Sequence, residues 1–183
     1  MKKLSILISI VLFLLINAQT IYAAENSSGS SAALMKPISI KSSDNRANFI
    51  EGFLEQYNSP LTSHASDFVK YANIYDIDWR LVAAISGVES TFGKQIPYDS
   101  YNAWGWGVYG ENVIRFSSWD EGIKTVSEGL RKNYMDKWGA RDVYEIGRFY
   151  AASQTWASRV VYFMQKLEEY KNQKMVNNLS ISL

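Results

Sequence analysis

Apolar side chains recur at the spacing of an α-helix through most of this sequence. One stretch places four of them on a single helical face: Leu81, Ile85, Val88 and Phe92. The same spacing recurs in the stretches 49–57, 68–75, 119–130 and 156–170, and a shorter helix is predicted over 142–150. We therefore predict a mainly α-helical domain over residues 42–172, which is an ordinary size for one domain.

Local signals predict where some of these helices begin and end. Gly93 follows the stretch that starts at Leu81 and is expected to end that helix. Ser118 and Glu121 have the spacing of a capping box, in which a hydroxyl and a carboxylate bond to the first free backbone N–H groups. They are expected to open the helix over 119–130.

Residues 94–117 break the helical pattern. Glycine, asparagine, aromatic and β-branched residues are crowded together there. The aromatic residues of this stretch include Tyr98, Tyr101, Trp104, Trp106 and Tyr109. We predict a long loop, or a short hairpin, and loops of this length inside a domain are usually functional.

The N-terminus has the order of a secretory signal peptide over residues 1–24. Lys2 and Lys3 precede an apolar run from Leu4 to Ile16, and small residues follow at Ala23 and Ala24. The run is shorter than the roughly 20 residues that cross a bilayer. We expect export to the bacterial cell envelope, with membrane attachment only if this segment stays uncleaved.

Two further segments flank the predicted domain. Residues 25–41 are rich in serine, glycine, alanine and lysine and are expected to form a flexible linker. Residues 173–183 are expected to form a C-terminal tail. The single predicted domain gives no signal for assembly, and we expect a monomer.

The amino-acid composition narrows the kinds of catalytic and metal site that this protein can form. The chain has no cysteine and one histidine, which excludes thiol nucleophiles, disulfides, thiolate metal sites and a zinc site with two imidazoles. A formal net charge of +1 argues against a nucleic-acid binder. Carboxylate chemistry remains, helped by tyrosine, lysine or serine, and we expect no metal or organic cofactor.

Glu89 is the most informative carboxylate. It lies one residue beyond Val88, at the edge of an apolar helical stripe and just before the long loop. A carboxyl group that loses water there has a raised pKa, as a general acid needs near neutral pH. The alternative is an ordinary solvated carboxylate on a helix.

The loop supplies the second half of this hypothesis. Flat aromatic faces beside polar groups suit sugar rings, and the Asn102 amide offers both a donor and an acceptor. The alternative is that the aromatic residues hold the loop onto the helical core, and at least one tryptophan is expected to do so.

Four motifs then carry a resemblance to a known family. They lie in order along residues 79–163: 84–93 (AISGVESTFG), 102–105 (NAWG), 114–123 (IRFSSWDEGI) and 150–160 (YAASQTWASRV). Together they resemble the bacterial glucosaminidase family, which is mannosyl-glycoprotein endo-β-N-acetylglucosaminidase-like and belongs to the lysozyme-like superfamily. The pair Glu89-Ser90 before a loop glycine is also similar to lytic transglycosylases.

The resemblance implies a lysozyme-like helical fold with the aromatic loop beside a peptidoglycan groove. It implies Glu89 as the catalytic acid and Tyr150 as a tyrosine near that acid. It carries Asn102 and the Trp104 loop to the groove wall, and adds weight to Ser90. We extend the candidate substrate contacts to Tyr101, Trp106 and Tyr109. Trp106 and Gly107 depart from the family motif, which usually continues with isoleucine and a basic residue.

A second carboxylate is an open question. The candidates, in order of preference, are Glu111, Asp99 and Asp120, because Glu121 is already explained by its capping box. Two-carboxylate glycosidases place the partner roughly 5–9.5 Å away. The other possibility is that no partner exists, and that the substrate's N-acetyl group or a 6-hydroxyl assists instead.

The sequence thus predicts a secreted peptidoglycan hydrolase of the endo-β-N-acetylglucosaminidase type, with peptidoglycan glycan strands as its partner. The alternatives are a lytic transglycosylase or muramidase of the same fold, a non-catalytic glycan-binding module, and a structural envelope protein.

Overall fold

Six helices dominate residues 44–107 and 112–181, the parts of the chain that the computed structural model describes. They are α1 Arg46–Glu55, α2 Ala65–Tyr75, α3 Leu81–Ser90, α4 Trp119–Gly129, α5 Val143–Tyr150 and α6 Trp156–Ile181. A 3₁₀ turn, Thr62–His64, precedes α2, and α4 continues as a π-helical segment, Leu130–Lys137. The predicted signal peptide and linker, as well as Tyr109 and Glu111, lie outside the described residues.

Helix α3 lies at the centre of the fold. Every residue from Leu81 to Gly87 is buried, so this helix is covered on more sides than its apolar stripe alone predicted. Helix α6 packs along it and buries Val160 and Leu167 completely or almost so. Because α3 cannot move without disturbing this core, it gives a rigid base to the residues at its C-terminal end.

The start of α4 confirms the hydroxyl half of the predicted capping box, while the carboxylate half bonds to a different N–H group. The Ser118 hydroxyl accepts the N–H of Glu121 at 3.1 Å. The Glu121 carboxylate accepts the N–H of Ser117 at 2.6 Å, one residue further out than the usual partner. Behind this cap, Ile123, Val126 and Leu130 are fully buried, as the spacing predicted.

The end of α3 differs from the prediction. The helix ends at Ser90 rather than at Gly93, because Thr91 and Phe92 already have left-handed φ angles of 53° and 58°. The Ser90 hydroxyl accepts the N–H of Gly93 at 2.8 Å and so closes the turn. This turn directs Phe92 into the core, where it is 1% exposed.

Helix α6 also runs further than predicted. It continues to Ile181, whereas the sequence suggested a tail after residue 172. Residues 172–178 are exposed, so packing does not hold them, but no glycine or proline interrupts the helical hydrogen bonds there. Among the residues of this helix whose side chains the structure describes, the last buried one is Leu167, close to the predicted end of the domain.

The region between α3 and α4 is a loop in its described parts. Residues 94–107 and 112–117 form turns and extended chain, with one isolated bridging residue at Asn112. None of the described helices is long and apolar enough to cross a membrane.

Candidate active site

The Glu89 carboxyl group is held between the start of α6 and the loop. Its Oε1 accepts the indole N–H of Trp156 at 2.6 Å, and Trp156 is 1% exposed. On the other side, a Cβ atom at Gly105 would lie 3.1 Å from Glu89 Oε2. Gly105 has a φ of +61° and no side chain, so the loop can approach the carboxyl group closely.

The surroundings of Glu89 favour its protonated form. Burial raises the pKa of this carboxyl group above its ordinary value, and the Trp156 hydrogen bond and the charge of Arg159 lower it by less. A carboxyl group that keeps its proton to higher pH, and remains accessible from solvent, is suited to general acid catalysis.

The charge of Arg159 gives a testable pH effect. Replacing Arg159 with glutamine removes a positive charge that lowers the pKa of Glu89, so that pKa should rise. An acid that must be protonated then stays active to higher pH, and the alkaline limb of the kcat/KM profile should move upward. The control is Lys174→Gln, about 22 Å further along α6, which removes the same charge and should leave the profile in place. A profile unchanged in both variants contradicts the coupling.

Tyr150 lies beside Trp156, the residue that holds the Glu89 carboxyl group. Its hydroxyl donates to the Trp104 carbonyl at 2.7 Å, and its ring stacks on Trp156 with centroids 4.6 Å apart. Burial raises the pKa of Tyr150 well above its usual range, and the charge of Glu89 adds to this. The hydroxyl therefore stays protonated and ties the loop to the residue that holds Glu89.

Asn102 lies beneath the surface. It is 2% exposed, and its amide nitrogen donates to the carbonyls of Trp106 and Ile114 at 2.9 and 3.0 Å. Its oxygen accepts the N–H of Trp106 at 3.0 Å. The Asn102 amide therefore fixes the loop, whereas the family resemblance implied that Asn102 lies on the groove wall.

Trp104 and Ser90 are also loop anchors. Trp104 is fully buried, and its indole N–H donates to the Val82 carbonyl at 2.9 Å. Ser90 is 3% exposed and donates to the Ala103 carbonyl at 2.7 Å. The alternative considered for the loop aromatics, attachment to the core, describes Trp104, and neither side chain reaches the surface where substrate contacts were predicted.

Trp106 is brought close to the candidate acid, and Tyr101 is placed against α4. Trp106 is half-buried between Tyr134 and Tyr150, with ring centroids 5.9 and 6.0 Å away. The ring of Tyr101 meets Trp119 edge-on at 5.2 Å. Trp106 is therefore the predicted loop aromatic that the described structure places beside Tyr150.

The candidate Asp120, and Glu121, which its capping box already explained, both have other partners. Asp120 accepts the Tyr71 hydroxyl at 2.9 Å, and Glu121 caps α4. Asp99 is exposed in the loop. Among the described residues, no other carboxylate contributes to the pKa shift of Glu89. The preferred candidate, Glu111, lies outside the described residues.

Two cavities flank Glu89. The α6-side cavity has a volume of about 390 Å³ and is lined by Gly87, Val88, Ser158, Arg159, Tyr162 and Phe163. The loop-side cavity has a volume of about 270 Å³ and is lined by Gly105, Trp106, Gly107, Asn133, Tyr134, Trp138, Phe149 and Tyr150. Val88, the residue before Glu89, borders the first cavity, and Gly105, which approaches the Glu89 carboxyl group, borders the second. Both cavities therefore lie near Glu89, although Glu89 itself lines neither.

Some residues of this site were not assigned by sequence. Trp156 was predicted only as an inward-facing helix residue, although it is part of the motif over 150–160. Tyr134 and Trp138 carried no signal, because they lie in none of the four motifs. Among the described residues, no group of three or more histidine, aspartate or glutamate side chains could hold a metal ion.

Comparisons with known proteins give structural neighbours only. No protein-family model matches the chain, and no curated protein matches it. Two solved structures of S. aureus autolysin E resemble it, with TM-scores of 0.58 and 0.57 at 16% and 17% sequence identity. Each alignment covers 69% of this chain and 68% of the other.

Both neighbours were crystallised with wall fragments. One is a catalytic mutant, with a glutamate replaced by alanine, in complex with the disaccharide NAG-NAM. The other is in complex with the muropeptide NAM-L-Ala-D-iGlu. At such low sequence identity, the structural similarity shows a shared fold alone. A mainly helical lysozyme-like domain is what the motifs implied. The chain thus has the fold of S. aureus autolysin E.

Proposed function

We propose that this protein is a peptidoglycan hydrolase that cleaves β-1,4 glycosidic bonds, of the endo-β-N-acetylglucosaminidase type, with Glu89 as its general acid. The observation that carries the proposal is the Glu89 carboxyl group, which has a raised pKa, is held by the Trp156 N–H and lies against Gly105 at the edge of the loop-side cavity. The shared fold with autolysin E supports it, since the neighbours contain wall fragments and the catalytic mutant lacks a glutamate.

In the first step, Glu89 donates its proton to the glycosidic oxygen as the bond to the anomeric carbon breaks. The carboxylate left behind is stabilised by the Trp156 N–H at 2.6 Å and by the charge of Arg159. Trp156 also fixes the direction of the carboxyl group, because its ring is buried and stacked on Tyr150. General acid catalysis of this kind is worth about 10²–10⁴ in rate.

The second step requires a nucleophile at the anomeric carbon. Water activated by Glu111, the preferred second carboxylate, gives a reducing sugar. Alternatively, the sugar's 6-hydroxyl attacks the anomeric carbon, gives its proton to Glu89 and closes a 1,6-anhydro ring. In a third route the N-acetyl oxygen attacks to form a cyclic intermediate, which water opens while giving a proton to Glu89. No other described carboxylate contributes to the raised pKa of Glu89, which favours these single-glutamate routes. This makes a lytic transglycosylase the second candidate function.

The site of action follows from the N-terminal segment. We propose that residues 1–24 direct export and that the catalytic domain acts in the cell envelope, where peptidoglycan is. Binding to peptidoglycan through an aromatic groove does not depend on charge attraction. A formal net charge of +1 is consistent with this kind of binding.

Mass spectrometry of digested peptidoglycan tests the proposal. We expect soluble fragments that end in reducing GlcNAc. Fragments that end in 1,6-anhydro-MurNAc would assign the chain to the lytic transglycosylases, and reducing MurNAc would make it a muramidase. Wall fragments that are bound but never cut would contradict an enzyme and favour the binding module.

A further inference from the structure

The π-helical segment Leu130–Lys137 shapes one wall of the loop-side cavity. The N–H of Trp138 donates to the Asn133 carbonyl at 3.0 Å, five residues earlier, instead of four as in an α-helix. Gly139 then turns the chain away with a φ of +77°. Tyr134, within this segment, and Trp138, directly after it, are four residues apart and both line the cavity. π-Helical segments are frequently found at functional sites.

A row of aromatic rings leads outward from the candidate acid. Trp106 is followed by Tyr134 at 5.9 Å, and Tyr134 by Trp138 at 4.8 Å. Phe149 lies beyond, with its ring centroid 5.3 Å from that of Trp138. Trp138 and Phe149 are 45% and 54% exposed and lie side by side, so together they form an exposed apolar patch at the cavity.

The cavity joins this row to Glu89. Gly105, whose missing side chain lets the Glu89 carboxyl approach, lines the cavity together with Tyr150. Asn133, which is exposed at the same cavity, adds an amide that can donate and accept. A volume of about 270 Å³ suits one pyranose ring rather than a peptide or a whole protein segment.

We propose that the loop-side cavity binds one N-acetylhexosamine ring of the glycan strand, next to the sugar whose bond is cut. The apolar face of the ring lies on Trp138, and the Asn133 amide bonds to its hydroxyl or acetamido groups. This assignment rests on the proposed function and adds Trp138, Asn133 and Phe149 to the substrate-binding residues. Trp138 is the main stacking contact, because it is the more exposed of the two tryptophans that line the cavity.

The experiment separates binding from cleavage. The full chain with Glu89→Gln, which should bind without turnover, is titrated by calorimetry with a peptide-free GlcNAc–MurNAc tetrasaccharide. Adding Trp138→Ala should raise Kd about tenfold, since the stacking surface is lost. Trp138→Phe, which keeps a ring, should restore most of the affinity. Tyr144→Ala, an exposed aromatic residue outside this cavity, is the control and should leave Kd unchanged.

Each outcome decides the proposal. An unchanged Kd in Trp138→Ala, or an equal loss in Tyr144→Ala, overturns it, and so does a Glu89→Gln chain that binds no tetrasaccharide. Thermal unfolding of each variant shows whether a loss of binding reflects a loss of fold. The digestion of peptidoglycan by the wild-type chain is scored separately. If digestion succeeds while Trp138→Ala binds normally, only the cavity assignment fails; if digestion fails, the proposed function fails.

Discussion

Glu89→Gln is expected to lower kcat on purified peptidoglycan by about 10³-fold or more, since the amide cannot donate the required proton. Glutamine has nearly the same shape and can still accept the Trp156 hydrogen bond, so the groove should keep its geometry. The measurement is the rate at which wall fragments become soluble. The control is Glu51→Gln on α1, an exposed carboxylate, which should retain full activity.

The same variant should not lose stability. Because the pKa of Glu89 is raised in the folded state, this group stabilises the fold at low pH, and that contribution is lost as the pH rises through the folded pKa. At neutral pH the ionised carboxylate is therefore a net cost, which glutamine removes. We expect an unfolding midpoint at pH 7 equal to or above that of the wild type. A clearly lower midpoint would mean that the loss of activity reflects damage to the fold.

Trp104→Ala is expected to destabilise the protein by about 3–5 kcal/mol, the usual cost of emptying a buried aromatic site. Trp104 is fully buried, donates to the Val82 carbonyl and lies so close to Gly122 that a Cβ there would be 2.6 Å from its ring. For a domain of this size the unfolding midpoint should fall by about 10–20 °C. Activity should fall with it, because the Trp104 backbone holds Tyr150.

Trp138→Ala is the matched control for this prediction. It makes the same change of residue type at a side chain that is 45% exposed, and it should cost about 1 kcal/mol or less. Calorimetric unfolding of both variants measures the difference. Equal destabilisation would contradict the assignment of Trp104 to the core and of Trp138 to the cavity.

The helices could be predicted because their signals are local. The capping pair Ser118 and Glu121 acts within a few residues of sequence. The predicted helix over 142–150 begins just after Asp142, whose carboxylate accepts the Glu145 N–H at 2.8 Å. Where tertiary packing decided, the prediction was wrong. Helix α3 stops before Gly93 because the Ser90 hydroxyl and the burial of Phe92 favour an earlier left-handed turn.

The candidate site also divides into features that the sequence predicted and features that only the fold decides. A motif identifies residues that matter, and Asn102, Trp104 and Ser90 do matter, but a motif does not say whether a side chain faces the groove or the core. The structure puts all three into the frame of the loop. Trp138, in contrast, lies outside the four motifs and far from the loop in sequence, and only the folded chain brings it to the cavity.

The most direct test of the general acid is a comparison of two titrations. One follows the side-chain carboxyl carbon of Glu89 by NMR in the free protein, and the other is the alkaline limb of kcat/KM against pH, which reports the free enzyme's essential acid. We predict one shared pKa, above the ordinary glutamate value and raised further in Arg159→Gln. A Glu89 that titrates at the ordinary value, or an alkaline limb that does not follow it, would contradict the role assigned to Glu89.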